Sequence, residues 1–274
     1  MTKISIFTTM TDPEERMDPW KEALNCYEDF ADEVIITGQD WPDEFKWDHI
    51  GKTFYEGFLK STGDWVIRMD LDYFFHEKSL KSIHKILENY KDYPSVAFPQ
   101  YQIFTPERYQ VKTNLCIAYN KKEYPNIILN GGGDLCAPTL NGLQILNSDV
   151  PLVNIPIYQY DSVFRNKDTI ANDRARFARA WFSYFNEWSD RGGGTPEEAF
   201  SAWFEMVRER YKKHVHRLKM NNHPKYIIDK LLTIDETMFG YSAFGLKDTT
   251  KFSTYEYLKS TKNKIKNYGF KTFQ

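Results

Sequence analysis

Two aspartates separated by one residue are the strongest candidates for chemistry in this sequence. Asp70 and Asp72 directly follow an apolar stretch, residues 65–69, that is typical of a buried β-strand. In an extended chain, residues i and i+2 face the same way, so both carboxylates can reach one cation while Leu71 points into the core. Mg²⁺ and Mn²⁺ prefer such oxygen ligands and commonly bind substrate phosphates as well. The pair predicts a site for Mn²⁺ or Mg²⁺, with a solvated acidic turn as the alternative interpretation.

Strands and helices alternate around this pair in the first third of the chain. β-branched, apolar runs predict strands over residues 3–8 and 33–37, and helical spacing predicts helices over residues 20–30 and 50–61. Strand–helix units of this length pair in parallel through right-handed crossovers. Ligands bind beyond the carboxyl ends of such strands, which is where the aspartate pair falls.

The character of the chain changes in its second half. Residues 96–160 are rich in Pro, Gly and Asn between short apolar runs, which favours strands and acceptor-side loops over long helices. From residue 168 onward two long stretches show helical periodicity, and the second opens with the capping pattern Thr195-Pro196-Glu197-Glu198. We therefore predict an α/β core over residues 1–160 and a helical C-terminal extension over residues 161–274, packed on the core or closing over it.

The stretch from Gly51 to Asp72 resembles the core of nucleotide-sugar-dependent glycosyltransferases of the A-type fold, and among them it is similar to glycosyltransferase family 2. In that family a helix ends in a Thr-Gly-Asp-aromatic turn, here residues 62–65, and the following strand finishes in a DxD motif, here residues 70–72. The resemblance is good over about residues 3–90 and weaker beyond them. It implies an α/β fold with a Rossmann-like mixed sheet flanked by helices.

The resemblance also implies an activity, the metal-dependent transfer of a sugar from a UDP- or GDP-type nucleotide sugar to an acceptor. Asp72 would bind Mn²⁺ or Mg²⁺, and Asp70 would contact the ribose or reach the metal through water. Arg68 would approach the diphosphate, with an ion pair to Asp64 as its structural alternative. The remaining candidates for donor binding are Thr8, Thr9, Asp40 and Tyr73.

A late histidine and two carboxylates complete the predicted site. In some relatives a late histidine folds back onto the metal, which makes His223 a candidate ligand, with a solvated histidine at a helix end as the alternative. Some relatives carry histidine where this chain has Gln159. We expect an inverting transfer, which needs a general base. Asp134, in a glycine-rich loop, is the first candidate for this base and Asp161 the second; a retaining mechanism needs neither.

Charge is unevenly distributed along the 274 residues, whose formal net charge is only −2. Residues 1–150 contain 15 Lys and Arg against 24 Asp and Glu, whereas residues 151–274 contain 21 against 14. The basic residues concentrate on the two predicted C-terminal helices. They form a solvated face, close over the donor diphosphate, or bind a polyanionic acceptor such as nucleic acid. Our hypothesis is that the acidic and basic halves meet across one cleft that holds metal and diphosphate.

Other functions stay open at this point. A glycosyltransferase could act on modified nucleic-acid bases through the basic half, and a non-enzymatic nucleic-acid-binding protein would use that half alone. A nucleotidyltransferase would also use a cation and a diphosphate, but residues 7–16 lack its glycine-rich, basic phosphate loop. The acceptor itself stays unassigned.

No targeting segment is apparent in the sequence. The first ten residues are too short and too polar for a signal peptide, and no apolar run approaches the roughly 18 residues of a membrane span. We therefore predict a cytoplasmic protein without a membrane span.

Overall fold

The structure is a computed structural model that describes residues 2–130 and 137–250. A mixed sheet of eight strands forms its centre, in the order β2-β1-β3-β6-β5-β10-β4, with β11 paired to β6. A second, antiparallel sheet contains β7, β8 and β9. In chain order the strands are β1 (Ile4–Thr9), β2 (Glu33–Thr37), β3 (Trp65–Arg68), β4 (Tyr73–Phe75), β5 (Ser95–Thr105), β6 (Arg108–Asn120), β7 (Ile128–Asn130), β8 (Ala137–Leu140), β9 (Leu143–Gln144), β10 (Ile157–Gln159) and β11 (His216–Arg217).

Helices cover both faces of the central sheet. In chain order they are α1 (Trp20–Phe30), α2 (Trp47–Lys60), α3 (Leu80–Asn89), α4 (Lys167–Phe185), α5 (Pro196–His214), α6 (Ile228–Leu231), α7 (Phe239–Ser242) and α8 (Leu246–Thr249). Side chains alternate between the two faces along each strand, as in β1, where Ile4 and Ile6 pack with α1 and α3 and Phe7 packs with α2. The expected mixed α/β sheet flanked by helices is confirmed.

Parallel pairing is restricted to part of the sheet. β1 runs parallel to β2 and β3, as the alternating strands and helices predict, and β10 runs parallel to β5. β6 is antiparallel to both β3 and β5. The reason is local: β5 and β6 are joined by a tight turn and form one long hairpin, which the irregular composition of residues 96–160 does not reveal.

Helix α2 lies close against β1. A Cβ atom at Gly57 would lie 2.4 Å from the Phe7 ring, so the glycine permits this approach. Helix α2 begins at Trp47, three residues before the predicted start, because Trp47 and Ile50 both pack in the core between α2 and the sheet. The helix therefore brings its first turn towards the carboxyl ends of β1 and β2.

The C-terminal residues are integrated with the sheet. Helix α4 is capped by Asn166, and α5 begins with the predicted capping box of Thr195 and Glu198. These two helices pack against each other, α4 also contacts α2, and β11 adds to the edge of β6. A helical C-terminal extension that packs on the core is observed, while the boundary at residue 160 stays a prediction.

Within residues 2–130 and 137–250, no helix is both long enough and apolar enough to cross a membrane.

Candidate active site

A cavity of about 760 Å³ opens at the carboxyl ends of β1 and β3. Thr9 from the end of β1 and the Asp70-Leu71-Asp72 segment after β3 line it. Helices α2, α4 and α5 contribute the opposite walls. Because β1 and β3 are parallel neighbours, their carboxyl ends meet at one edge of the sheet, so the cavity lies where the sequence predicts a ligand.

The DxD segment forms a turn. The Tyr73 backbone N–H donates to the Asp70 carbonyl at 2.8 Å, which reverses the chain between β3 and β4. The expectation of an extended segment is therefore wrong, whereas Leu71 is buried, as expected, and also lines the cavity. Both carboxylates nevertheless line the same cavity, as predicted.

The negative charge of Asp72 is poorly balanced by neighbouring cations. Among the described residues its side chain forms no ion pair and no hydrogen bond. Burial raises the pKa of Asp72 well above its ordinary value, and the negative charges of Asp161, Asp70 and Asp18 raise it further. Its backbone carbonyl accepts from the Tyr160 N–H at 2.9 Å, which ties the turn to the end of β10. A bound cation would relieve the charge repulsion at this position.

Four charged side chains that line the cavity form a network, which we call the buried charge network; three of them are buried and Arg16 is partly exposed. Arg165 donates to Asp18 and, at 3.0 Å, to Asp173. Arg16 donates to the same two carboxylates, at 3.1 Å to Asp18 and 2.7 Å to Asp173. The network joins the loop after β1 to helix α4, and it balances two positive against two negative charges.

Asp161 lies beside this network and is held by arginine. The Nη2 of Arg174 donates to both carboxylate oxygens of Asp161 at 2.9 Å, and Arg165 lies 4.0 Å away. Burial acts to raise the pKa of Asp161, but the charges of Arg174, Arg165 and Lys112 outweigh it and lower the pKa to about 2. Asp161 is therefore ionised at neutral pH and, while Arg174 holds it, a weak base.

Aromatic side chains form the side of the cavity next to β1 and β2. The Trp47 and Trp181 rings lie 5.1 Å apart, and Arg191 stacks 3.6 Å above the Trp181 ring. Arg191 also pairs with Asp190 at 3.0 Å. We call the aromatic residues that line this side the aromatic wall; they are Trp41, Trp47, Phe54, Phe177 and Trp181.

Helix α5 presents one face to the cavity. Ala199, Trp203, Met206 and Arg210 recur at helical spacing and all line it. The Arg174 guanidinium lies 5.6 Å from the Trp203 ring centre. Arg174 and Arg210 of the basic C-terminal helices line the same cavity as the acidic pair, while the meeting of the two halves across metal and diphosphate stays a prediction.

Three other arginines of these helices, Arg176, Arg179 and Arg208, are engaged outside the cavity. Arg176 donates to the Pro42 carbonyl, and Arg179 pairs with Glu44. On α5, Arg208 pairs with Glu205 in a solvated position. Arg179 and Arg208 match the interpretation of a solvated, paired face, whereas the Arg176 side chain is only 13% exposed.

Of the three predicted donor-binding residues near β1 and β2, the structure places one at the cavity. Thr9 lines the cavity. Thr8 is fully buried, and its carbonyl accepts from the Thr37 hydroxyl at 3.4 Å. Asp40 is exposed and is not among the residues that line the cavity.

Arg68 and Tyr73 lie beneath the cavity surface. Arg68 is 2% exposed; its Nη2 lies 3.9 Å from Asp70, and its guanidinium lies 4.8 Å from the Phe54 ring centre. Its predicted alternative partner, Asp64, instead accepts from the Lys3 backbone N–H and pairs with Lys122. Tyr73 is fully buried, and its hydroxyl accepts from Gln100 at 3.3 Å.

His223 is not brought to the cavity. It is 1% exposed, its Nδ1 lies 2.7 Å from the Tyr160 hydroxyl, and its Nε2 lies 2.8 Å from the Pro106 carbonyl. Both ring nitrogens are therefore engaged in the core. Gln159 does line the cavity, and its side-chain oxygen accepts from Gln100 at 2.7 Å.

Asp134 lies outside the described residues. Within the described part of the chain, no group of three or more His, Cys, Asp or Glu side chains is arranged to hold a metal ion. Among the described residues, Asp70 and Asp72 place two carboxylates on one turn at the cavity, a number of protein ligands that suits an ion bound jointly with substrate phosphates.

Sequence reasoning did not identify the buried charge network or Lys112 as parts of the site. Arg16 and Asp173 are 157 positions apart in the chain, so no local pattern joins them. The one available signal for Arg16 and Asp18 was their position in the loop after the first strand, where ligands of such sheets bind.

Comparison with known proteins gave matches among solved structures alone. No protein-family model and no curated protein matches the chain. A crystal structure of S. aureus TarS, residues 1–349, aligns with a TM-score of 0.35 and 9% identity over 77% of this chain and 80% of that one. A second crystal structure of S. aureus TarS aligns with a TM-score of 0.30 and 10% identity over 77% of this chain and 44% of that one.

Proposed function

We propose that this protein is a metal-dependent glycosyltransferase that moves a sugar from a UDP- or GDP-type nucleotide sugar to an acceptor. One observation carries the proposal: Asp70 and Asp72 line a single cavity together with an aromatic wall and several cationic side chains. A nucleotide sugar needs a surface for its base, compensation for its diphosphate and space for its sugar. A cavity of about 760 Å³ falls within the range typical of small-molecule sites.

The residues at the DxD turn fit a divalent cation. Asp72 and Asp70 supply hard carboxylate oxygens, the ligands that Mn²⁺ and Mg²⁺ prefer. Asp72 has no cationic partner within hydrogen-bonding distance among the described residues, and the neighbouring carboxylates Asp18 and Asp161 are already engaged by arginines. When bound, the ion would neutralise negative charge on the departing diphosphate. We leave His223 out of this proposed metal site because both of its ring nitrogens are occupied.

The chain's own residues would orient the donor. The aromatic wall offers rings on which a nucleobase can stack, and Thr9 at the end of β1 borders it. Arg68 lies below the wall, between Phe54 and Asp70, and thereby positions the first carboxylate of the DxD segment. The nucleoside would lie at this wall and the diphosphate at the aspartates.

Asp134 and Asp161 stay our candidates for the general base of an inverting transfer. Asp161 faces the cavity, but its pKa of about 2 and its two bonds to Arg174 make it a poor proton acceptor in this arrangement. To act as base, Asp161 would have to be released by Arg174. This favours Asp134 as the base and a positioning role for Asp161.

A thermal-shift screen tests the proposal. UDP- and GDP-sugars are added to the wild type with and without Mn²⁺, and we expect a nucleotide sugar to raise Tm only when Mn²⁺ is present. Asp72→Asn should lose this shift. Asp48→Asn, which alters an exposed carboxylate paired with Lys52 on α2, should keep it. Failure of every nucleotide sugar to stabilise the wild type with Mn²⁺ would contradict the proposed function.

A further inference from the structure

The cationic side chains that line the cavity differ in the hydrogen bonds and ion pairs that they form with other residues. The two arginines of the buried charge network each donate to two carboxylates. Arg174 is held by Asp161, and Arg191 by Asp190 and the Trp181 ring. Arg210 differs from all of these, since among the described residues it forms no hydrogen bond or ion pair. It is half-buried and lines the cavity.

The sheet order places Arg210 with respect to the donor. β1 and β2 lie on one side of β3, whereas β6, β5 and β10 lie on the other. Thr9 and the aromatic wall border the first side. Lys112 of β6 and Gln159 of β10 line the cavity on the second side, and α5 contacts β6 there. The DxD turn follows β3 and lies between the two sides.

This arrangement separates two regions along the cavity. With the nucleoside at the aromatic wall and the diphosphate at the DxD turn, the transferred sugar and the acceptor fall on the β6 side. On that side Arg210 shares one face of α5 with Met206 and Trp203. Lys112 adds a second positive charge, which acts on Asp161 across the same space. The β6 side therefore combines a guanidinium with an apolar surface.

We infer that Arg210 binds a phosphate group carried by the acceptor, so that the acceptor is a phosphate-bearing sugar. A guanidinium matches phosphate oxygens with two parallel N–H donors, and a half-buried arginine without a carboxylate partner gains most from such an anion. Met206 is partly exposed on this face and offers an apolar contact for the carbon face of a sugar, beside the largely buried Trp203 ring. This inference rests on the proposed function, because the donor's position defines the acceptor side.

The donor diphosphate is the other source of phosphate that could occupy Arg210, and binding measurements separate the two. Glucose 6-phosphate and inorganic phosphate serve as probes in isothermal titration calorimetry, with glucose as the uncharged control. Each probe is titrated into the wild type alone. It is also titrated into the wild type saturated with Mn²⁺ and with the nucleoside diphosphate that binds the protein. We expect the phosphate probes to bind in both cases, and glucose to bind in neither.

Two variants complete the experiment. Arg210→Gln should weaken glucose 6-phosphate binding at least about tenfold, the loss expected for one charge-assisted pair, while nucleotide binding with Mn²⁺ stays at the wild-type level and shows that the variant is folded. Arg208→Gln, on the same helix but solvated and paired with Glu205, should bind every probe as the wild type does.

Three results overturn the inference. They are a wild type that binds no phosphate probe, an Arg210→Gln variant that binds it unchanged, and displacement of the probe by nucleotide together with weakened nucleotide binding in Arg210→Gln. The last result would assign Arg210 to the donor. The nucleotide arm tests the proposed function separately: a wild type that binds no nucleotide with Mn²⁺ overturns that function and with it the acceptor role, whatever the phosphate probes do.

Discussion

The two sides of the cavity are built by different forces. The side next to β1 and β2 is the aromatic wall, whose rings pack into the same core as α2 and depend on apolar burial. The other side, where the segment after β10 and the start of α4 meet the loop after β1, depends on buried ions, with Arg165 and Arg174 holding the carboxylates of Asp18, Asp161 and Asp173. Apolar packing tolerates small changes, whereas a buried ion left without its partner is costly. The comparison therefore predicts where substitutions impair binding and where they impair folding.

The largest effect is expected between the two sides, at the DxD turn. Asp72→Asn removes the carboxylate proposed to bind the metal, and transfer should fall by roughly 100-fold or more because the departing diphosphate loses electrostatic stabilisation. Turnover of the donor identified by the thermal-shift screen is the measurement. Full activity of Asp72→Asn would refute the metal assignment, and Asp48→Asn is the matched control.

On the charged side, Arg165→Met should reduce stability more than it reduces nucleotide affinity. The substitution leaves Asp18 and Asp173 with Arg16 as their remaining partner in a buried site, which should lower the free energy of unfolding by about 3 kcal/mol. Urea unfolding followed by circular dichroism measures the loss. Arg208→Met removes a solvated arginine and should leave stability nearly unchanged. Equal stabilities of the two variants would contradict a structural role for the network.

On the aromatic side, a substitution is expected to lower nucleotide affinity. Trp181→Ala should weaken nucleotide binding by about 1–3 kcal/mol, the contribution of one ring stacked on a base, and leave its Mn²⁺ dependence intact. Calorimetry with the nucleotide and Mn²⁺ measures the change. Tyr184→Ala, on the same helix and 60% exposed, is the control that should bind normally. Unchanged affinity of Trp181→Ala would place the nucleobase elsewhere.

A further effect is expected in the acid dependence of stability, to which Asp161 contributes. Its pKa in the folded protein is lowered to about 2 from an ordinary value of 3.8, so ionised Asp161 stabilises the fold. That contribution, about 2 kcal/mol, is complete above pH 4 and is lost as the pH falls from 3.8 towards 2. Urea unfolding of the wild type and Asp161→Asn from pH 7 to pH 2.5 measures it. The difference in stability between them should narrow below pH 4, and a constant difference would contradict the ion pair with Arg174.

Asp72 should show the opposite dependence on pH. Burial first, and then the neighbouring carboxylates, raise the pKa of Asp72, so its ionisation destabilises the folded protein as the pH rises above 3.8. Without metal or nucleotide, Asp72→Asn should therefore be more stable than the wild type at pH 8. The difference in the free energy of unfolding between the two proteins should be smaller at pH 5. Denaturant titrations at the two pH values measure the difference. A wild type more stable than Asp72→Asn at pH 8 would contradict this interpretation.

The sequence predicts the aromatic side of the cavity better than the charged side. Strands β1 to β3 and helices α1 and α2 follow from apolar periodicity over a few residues, and that periodicity places the DxD segment at the cavity. The sequence also contains the rings of Trp41 and Trp47, but it does not distinguish rings that line a cavity from rings of the core. Local periodicity therefore predicts the scaffold of this side and leaves its function open.

The charged side depends on partners that are distant in sequence. Arg165 and Asp18 are 147 positions apart, and no spacing rule joins them. His223 illustrates the same limit, because its partners, the Tyr160 hydroxyl and the Pro106 carbonyl, become neighbours only when the β5–β6 hairpin and β10 have assembled. A His-Pro pair in a polar segment resembles a solvated or ligating histidine, and only the packing reveals a buried one.

The central claim is that the DxD turn binds a divalent cation together with a nucleoside diphosphate. Electron paramagnetic resonance measures it directly, because free Mn²⁺ gives a sharp six-line spectrum that weakens when the ion binds protein. The probe is the nucleoside diphosphate of the nucleotide sugar that the thermal-shift screen selects. We predict that it increases Mn²⁺ binding by the wild type and by Asp48→Asn, and that Asp72→Asn loses this increase. The same increase in Asp72→Asn as in the wild type would contradict the account.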